Sequence, residues 1–591
     1  SLRNDRRSAD AFATLARRAA ESLDYARTIE DAELPELVGN DLFEDVERKI
    51  ISTLAHAIVE RTMSAREVSE TIRARQSSIW ADEYRELYVA LRAASDLLSE
   101  LATTRFEIAS FDDGLDRYRK HWFRIDQLYR QFHFAARTTE YAGPLEALRA
   151  KVEKHYANRY LYELGNAWQQ QVDAVRDWRS LALPSQTRFF VDHVEPIIRK
   201  GNRKVVVIIS DALRYEVADE LGSRIRQEDR FDADLDAVLG VLPSYTQLGM
   251  AALLPHTTLA HSHDGDPVLV DGQRCDGTAN RNKVLAPVDG FAIQAEEVFV
   301  MPRTELRELY GAHQVLYVYH DRIDAAGDKA CTERQVFEAA DDTLRELVDL
   351  IKRLTNANAT NILVTADHGF LYQDTALADI FYLSTKPQGD ELVVTNRRYV
   401  LGRGLKDDPA FRTFEPEQLG LGSDLQVQIP KSIHRLKLPG AGSRFVHGGA
   451  SLQEVVVPVV KVNKKRKSDI RPVNVEVLPE TDKITTGQIV VKLFQSEPVS
   501  EKVQPRTLRA GIYVGDALLS NQPELLFDQP SDDARDRYQN VRMLLSQDSS
   551  EFNNHTVEFR LEEKIPNTTQ WRVYQRAQYQ LRRSFTSDFD F

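Results

Sequence analysis

The sequence predicts a multidomain chain: an N-terminal all-α region over residues 1–195, a central α/β domain over 196–465, and a C-terminal all-β, sandwich-like module over 470–591. Three observations carry this reading. Apolar residues recur three to four apart through the first third, as packed helix faces require. Near Lys204 the pattern changes to short β-branched runs that alternate with helical stretches, which implies a mostly parallel sheet. After the basic run KVNKKRK at 461–467, residues alternate apolar and polar with the two-residue period of strands.

Helices are expected over 11–28, 42–61, 65–101, 114–136 and 144–175. Aromatic residues crowd this third (Tyr118, Trp122, Phe123, Tyr129, Phe132, Phe134), and the pattern reads as a helical core and docking surface with no catalytic constellation. Residues 205–209, VVVII, have the composition of a strand buried on both faces. A helix follows over 214–226, then a strand over 237–242 and a short helix over 246–254. Further strands are expected at 315–319 and 361–365, separated by a long helix over 332–354. Residues 392–438 read as β-rich, with Gly402 and Gly404 as turn residues, and 455–462 as another strand. Residues 489–494, 511–514 and 556–560 are typical of the C-terminal alternation.

With 591 residues the chain is too long for one core. Its apolar runs are too short to span a bilayer, no secretory signal is evident, and the first residue is Ser, so an upstream portion is expected to be missing. Two cysteines, Cys275 and Cys331, exclude a disulfide framework and point to a reducing cytoplasm. A net charge of −13 excludes a chain that coats nucleic acid along its whole surface. The basic run at 461–467 reads as a solvated boundary segment.

Five motifs carry chemistry. IISDALR at 208–214 places Asp211 just past the carboxyl end of a strand, where ligands bind in open α/β sheets. Arg214, one turn on, is read either as a contact for a phosphate oxygen or as a surface ion pair. LPSYTQLGM at 242–250 offers two hydroxyls, Thr246 and Ser244, at the start of a short helix. YHDRIDAAGD at 319–328 sets Asp324 and Asp328 one helical turn apart, and two such carboxylates repel unless a cation lies between them. LVTADHGF at 363–370 puts Asp367 and His368 at another strand end, a ligand pair suited to zinc or manganese. FVHGGAS at 445–451 follows His447 with two glycines that admit close backbone approach. Each motif alone is also explained by a helix cap or a turn. The ordered set is not.

That set resembles the alkaline phosphatase superfamily, which makes the central domain alkaline phosphatase-like. The resemblance implies two divalent metal ions. Asp211, Thr246, Asp367 and His368 would hold one, and Asp324, Asp328 and His447 the other. It makes Thr246, three residues after Pro243, the nucleophile, with Ser244 the weaker choice. Asp328 stands where the superfamily usually has His, so the second set is oxygen-rich. Zinc is the first expectation, and manganese or magnesium suit that set as well. Cys275 lies in RCDG, which does not match the sulfatase pattern. More narrowly, residues 205–221 (VVVIISDALRYEVADEL), 319–329 and 447–457, with NRNK at 280–283, are similar to the PglZ family of BREX bacteriophage-defence systems over roughly 190–465.

The resemblance implies a metal-dependent phosphodiesterase or phosphatase-type hydrolase acting on nucleotides or nucleic acid. It also implies other BREX proteins, including the site-specific DNA methyltransferase, as partners, and no membrane. The alternative from a different class is a structural hub that binds metal without turnover and docks other BREX components.

Overall fold

Val205 to Ile209 are all wholly buried, as a strand covered on both faces must be. They form the centre of a six-stranded sheet. Its strands in chain order are β1 (Val205–Ser210), β2 (Phe231–Leu239), β3 (Gly290–Gln294), β4 (Val315–His320), β5 (Asn361–Thr365) and β6 (Val456–Lys464). Across the sheet they run β2-β6-β5-β1-β4-β3. β1 is parallel to both neighbours, with Ile208 opposite Val318 and Val364. β3 is parallel to β4, and β6 is antiparallel to β5. The chain leaves β1 between two parallel neighbours, so the carboxyl ends of β1, β4 and β5 open together at one edge.

The computed structural model describes residues 9–583 apart from Ser77, Glu140, Asn202, residues 376–377 and 439–443, and Asn567. These fall into two compact units. One joins the residues up to Ile225 with Asp232–Lys464, and the other joins Arg226–Phe231 with the residues from Lys465 onward. The helices of the first third therefore pack into the same unit as the sheet.

Several element boundaries differ from the sequence expectation. The strand expected at 237–242 is β2, ending at Leu239. Gly240 and Pro243 follow it, and Asp232, Asp234 and Asp236 alternate outward along this edge strand, as exposed edges favour. The helix expected over 65–101 is two, Ala65–Arg75 and Arg85–Thr103. Arg75 turns inward to a wholly buried Glu47, and the Ser78 hydroxyl accepts from the Trp80 amide, competing with helical bonding. The run at 461–467 is not all linker, because Lys461 pairs with Leu363 inside β6. Residues 392–438 do form an antiparallel four-stranded sheet, Glu391–Thr395, Val400–Arg403, Gln426–Pro430 and Phe411–Phe414. In the second unit, strands from two sheets face one core. Val475, Val491 and Met543 come from one sheet, and Ile512, Phe559 and Leu561 from the other.

The helical region meets the sheet through buried charge. The helices expected at 114–136 and 144–175 each contain a wide π turn, at Tyr118–Trp122 and Tyr156–Leu164. Tyr118, Tyr156 and Tyr160 converge from these turns, and all three hydroxyls donate to Asp126, at 2.9, 2.6 and 2.8 Å. Asp126 also faces the Arg214 guanidinium at 2.7 Å, and both side chains are buried. Nearby, Arg130 pairs with Glu216 and Glu220 at 2.9 and 2.6 Å. Breaking a buried pair from one side costs about 3–5 kcal/mol, because it strands the other charge. Arg214→Met is therefore expected to lower unfolding stability by about 3 kcal/mol. Urea titration reads this, and a change under about 1 kcal/mol would show that the seam does not depend on the pair.

Candidate functional site

Asp211 is the first residue beyond β1, and its amide donates to the His320 carbonyl at the end of β4, 2.8 Å away. The next residue, Ala212, turns through a left-handed conformation with φ +56°. Its amide donates to Asp367 Oδ1 at 3.1 Å, so the turn after β1 is tied to the turn after β5. Asp367 Oδ1 also accepts from the His368 amide at 2.9 Å. The short helix Thr246–Ala252 lies directly against this turn. A side chain at Gly249 would come within 2.3 Å of the Asp367 carbonyl oxygen, so only glycine allows the approach.

His368 is wholly buried and sits at the centre. Its Nδ1 contacts the Gly369 carbonyl at 3.0 Å, which assigns the proton to Nδ1 and leaves the Nε2 lone pair facing inward. That Nε2 lies 3.1 Å from Thr246 Oγ1, 3.4 Å from Asp367 Oδ2 and 3.7 Å from Asp211 Oδ1. His447 stacks on His368 with ring centroids 4.2 Å apart. The His447 Nε2 lies 3.6 Å from Asp324 and 3.9 Å from Asp328. Asp324 lies in the first turn of the short helix Ile323–Gly327 and Asp328 caps its end, and Gly327 sits against the Phe445 ring with no room for a side chain. The structure thus brings all seven expected residues into one connected cluster. Asp211, Asp367 and His368 form one metal-sized set, and Asp324, His368 and His447 another, with His368 common to both.

Three buried carboxylate oxygens, Asp211 Oδ1, Asp324 Oδ1 and Asp367 Oδ2, have no hydrogen-bond donor. Buried anionic oxygens without donors are costly, and a divalent cation satisfies them. The donor set therefore fits the metal ions that the sequence implies. Electrostatics agree with this. Burial beside Asp367 and Asp324 holds Asp211 well above the usual carboxylate range. Burial raises Asp324 and Asp367 each to about 6. Burial, with His447 beside it, lowers His368 to about 3 and keeps it neutral, the form that binds metal. Burial also acts to lower His447, but its contact with Asp328 and the charge of Asp324 outweigh that and hold it at about 9.

The folded Asp324 binds its proton more tightly than the unfolded chain does. Its contribution is therefore present at low pH and lost as pH rises from about 4 to about 6, on the order of 3 kcal/mol in metal-free protein. Thermal melts in chelator across this range should show the decline in the parent and a flatter curve in Asp324→Asn. Parallel curves would contradict it.

The phosphate reading of Arg214 is corrected, and the weaker choice of Ser244 finds its reason. Arg214 does not reach toward a phosphate. It is buried against Asp126 and over the Phe370 ring, facing the helical region. Ser244, the weaker nucleophile, is engaged elsewhere. Its hydroxyl donates to the Gly449 carbonyl at 2.6 Å and accepts from the Gly448 amide, pinning the loop that carries His447.

Sequence reasoning missed the residues that hold the strand ends in place. Gln186, wholly buried, donates to the Asp367 carbonyl at 2.7 Å and accepts from the Val241 amide at 3.0 Å. Glu454, buried and paired with Arg398, accepts from the Gly449 and Ser451 amides. The Trp168 indole donates to the Ala450 carbonyl at 2.6 Å. His320, inside the third motif, points away to Glu346 at 2.9 Å. The S/T-x-x-E spacing at Ser451 to Glu454 was the one local signal available.

A mostly parallel sheet with paired carboxylate–histidine sets at its carboxyl edge is of the alkaline phosphatase-like class. Residues 189–462 match the BREX system PglZ alkaline phosphatase-like domain. Over 528 residues the chain is 36% identical to the "Alkaline phosphatase-like protein BrxZ" of Escherichia coli O9:H4 (strain HS), covering 85% of this chain and 60% of that protein. Over 586 residues it is 32% identical to the "Alkaline phosphatase-like protein PglZ" of Bacillus cereus (strain H3081.97), covering 95% of this chain and 67% of that one. The chain belongs to the PglZ family, and it spans about two thirds or less of the length of these relatives.

Among solved structures, murine ectonucleotide pyrophosphatase/phosphodiesterase 5 overlaps 44% of this chain and 88% of its own, at 12% identity and a TM-score of 0.31. Phosphonoacetate hydrolase from Sinorhizobium meliloti 1021 overlaps 44% and 89%, at 11% identity and 0.29. At such scores the class rests on the family match and the sheet topology. Among the described residues no helix is long and apolar enough to cross a membrane.

Proposed function

We propose that this chain is a metal-dependent phosphodiesterase-type component of a BREX defence system, with Thr246 as nucleophile and nucleotides or nucleic acid as substrate class. The observation that carries it is the position of Thr246 Oγ1, 3.1 Å from the inward lone pair of a neutral, buried His368 and beside carboxylate oxygens that lack donors. Asp211, Asp367, His368 and Thr246 would hold one divalent cation, and Asp324, Asp328 and His447 the other, zinc first. When bound, such ions lower the pKa of a coordinated hydroxyl and neutralise the non-bridging phosphate oxygens. The Gly369 carbonyl fixes the His368 tautomer and keeps its lone pair on the site side. Thr246 Oγ attacks phosphorus in line, the bond to the leaving oxygen breaks, and water then hydrolyses the phosphothreonine ester.

On this reading residues 196–465 carry the chemistry, while 1–195 and 470–591 offer surfaces to BREX partners in the cytoplasm, the DNA methyltransferase among them. The competing reading, a hub without turnover, predicts bound metal and no reaction. The test is turnover of bis(p-nitrophenyl) phosphate and p-nitrophenyl phosphate by metal-analysed protein, before and after chelation. Diester turnover that chelator abolishes and zinc or manganese restores is expected. Metal-loaded protein that turns over neither substrate would leave the hub reading standing.

A further inference from the structure

Four arginines converge on one open cleft of about 600 Å³ that the proposed reaction does not use. Arg137, Arg149, Arg334 and Arg444 line it, with Glu338 and Asp374 between them. Two of the four are held in place, Arg137 by these carboxylates and Arg444 by a backbone carbonyl and a third carboxylate, Glu333. Arg137 pairs with Glu338 at 3.2 Å and with Asp374. Arg444 Nη1 donates to the Asp374 carbonyl at 2.7 Å, and its Nε lies 3.6 Å from Glu333. The other two lack such partners. Among the described residues neither Arg149 nor Arg334 makes an ion pair. Arg149 has one long bond, to the Ala136 carbonyl at 3.5 Å, and its Nε is buried with no partner at all. Arg334 is exposed. In a chain of net charge −13, four guanidinium groups beside three carboxylates, Glu333, Glu338 and Asp374, still leave a local positive excess, carried by Arg149 and Arg334, that an anion would balance. The guanidinium fork matches phosphate oxygens in a way that a point charge does not.

The cleft adjoins the candidate site through the chain itself. Arg444 leads into the short strand Phe445–Val446 and then His447. Asp374 follows the strand Leu371–Tyr372, which issues from Asp367 and His368. The two strands pair, Phe445 with Tyr372. Two extended residues lie between Arg444 and His447, so three residue steps of roughly 3.3 Å put them about 10 Å apart along the chain. Neighbouring phosphates of a nucleic-acid strand can span a distance of that order.

We propose that the Arg137–Arg149–Arg334–Arg444 cleft is an accessory phosphate-binding site that holds a second phosphate of an extended substrate whose scissile phosphate lies at Thr246. This rests on the phosphodiesterase reading above. The shared chemistry is a phosphate-rich anion, supplied by a polynucleotide strand or by a free oligophosphate.

The test is a binding measurement in the full chain on a Thr246→Ala background, where turnover cannot consume the probe. A short fluorescein-labelled single-stranded oligonucleotide is titrated and followed by anisotropy. Arg149→Ala/Arg334→Ala is expected to raise Kd about 10-fold or more and to flatten the log–log salt slope by about 1 to 2. Arg176→Ala/Arg179→Ala removes the same charge from an exposed loop and is expected to change neither. Arg334→Glu alone, at an exposed position that cannot unfold the chain, is expected to weaken binding further than Arg334→Ala.

Equal losses in the two double variants, or no loss in either, overturn the proposal. Tripolyphosphate that displaces the probe only when Arg149 and Arg334 are present identifies a site for any oligophosphate. Arginine-dependent binding that tripolyphosphate does not disturb identifies a strand, and both outcomes support the site. Absent diester turnover in the chain with Thr246 intact, beside arginine-dependent binding, would sink the phosphodiesterase reading alone. Turnover with arginine-independent binding would sink the accessory site alone.

Discussion

Thr246→Ala is expected to lower phosphodiester turnover by about 10³-fold or more while leaving the thermal transition within a degree or two of the parent. The asymmetry follows from where Thr246 sits. It is the first residue of a short helix and half-buried, so loss of its hydroxyl removes little packing. Its Oγ1 nevertheless points at His368 Nε2, the most central atom of the site. Thr246→Ser keeps the hydroxyl and should retain a measurable fraction of the rate. Steady-state kinetics with melts on the same preparations decide it. Full activity in Thr246→Ala would end the nucleophile assignment, and Ser244 could not replace it without releasing the Gly448–Gly449 loop.

Asp367→Asn should separate stability from metal binding. In metal-free protein, burial raises both the Asp367 and Asp211 carboxyls, and Asp367 pushes Asp211 up further, while the hydrogen bond from Asp211 offsets part of the rise at Asp367. An amide at 367 still accepts the Ala212 and His368 amides through its oxygen and donates to Asp211 through its nitrogen. Metal-free Asp367→Asn is therefore expected to be more stable than the parent at neutral pH, by about 2 kcal/mol. The parent should gain stability on adding zinc or manganese, by RT ln(1 + [L]/Kd), and the variant should gain far less. Differential scanning fluorimetry with and without the ion reads both arms. The same metal-induced shift in parent and variant would show that Asp367 is not a ligand. A site that destabilises the empty fold is what a reactive centre requires, and the rest of the unit carries that cost.

How much was readable from sequence depends on distance along the chain. Asp211, Asp324, Asp367 and His368 stand within a few residues of strands whose β-branched composition is plain, and position at a strand end already places a side chain at the sheet edge. The helical periodicity of the first third was equally plain. The π turns at Tyr118–Trp122 and Tyr156–Leu164 were not, because a one-residue widening leaves the apolar spacing unchanged. Gln186 was illegible for a different reason. Its partner, the Asp367 backbone, lies 181 residues away, and nothing near Gln186 marks it. The direction of Arg214 was not legible, because a motif shows which residues are adjacent and not which way they face. On a helix start one residue points to the ligand edge and the next into the neighbouring layer, and the neighbour here was Asp126, 88 residues upstream.

That neighbour matters for how the protein can be handled. The stretch that matches the family, 189–462, is only part of the compact unit it packs into. Cut at its boundaries, it would expose Arg214 and Glu216 on a freshly bared face, with Asp126, Arg130 and three tyrosines removed. Such a fragment is expected to aggregate or to need the missing helices supplied as a separate chain. Co-expression of residues 1–188 with 189–591 should recover soluble material that neither the isolated domain nor a surface-polished version of it yields.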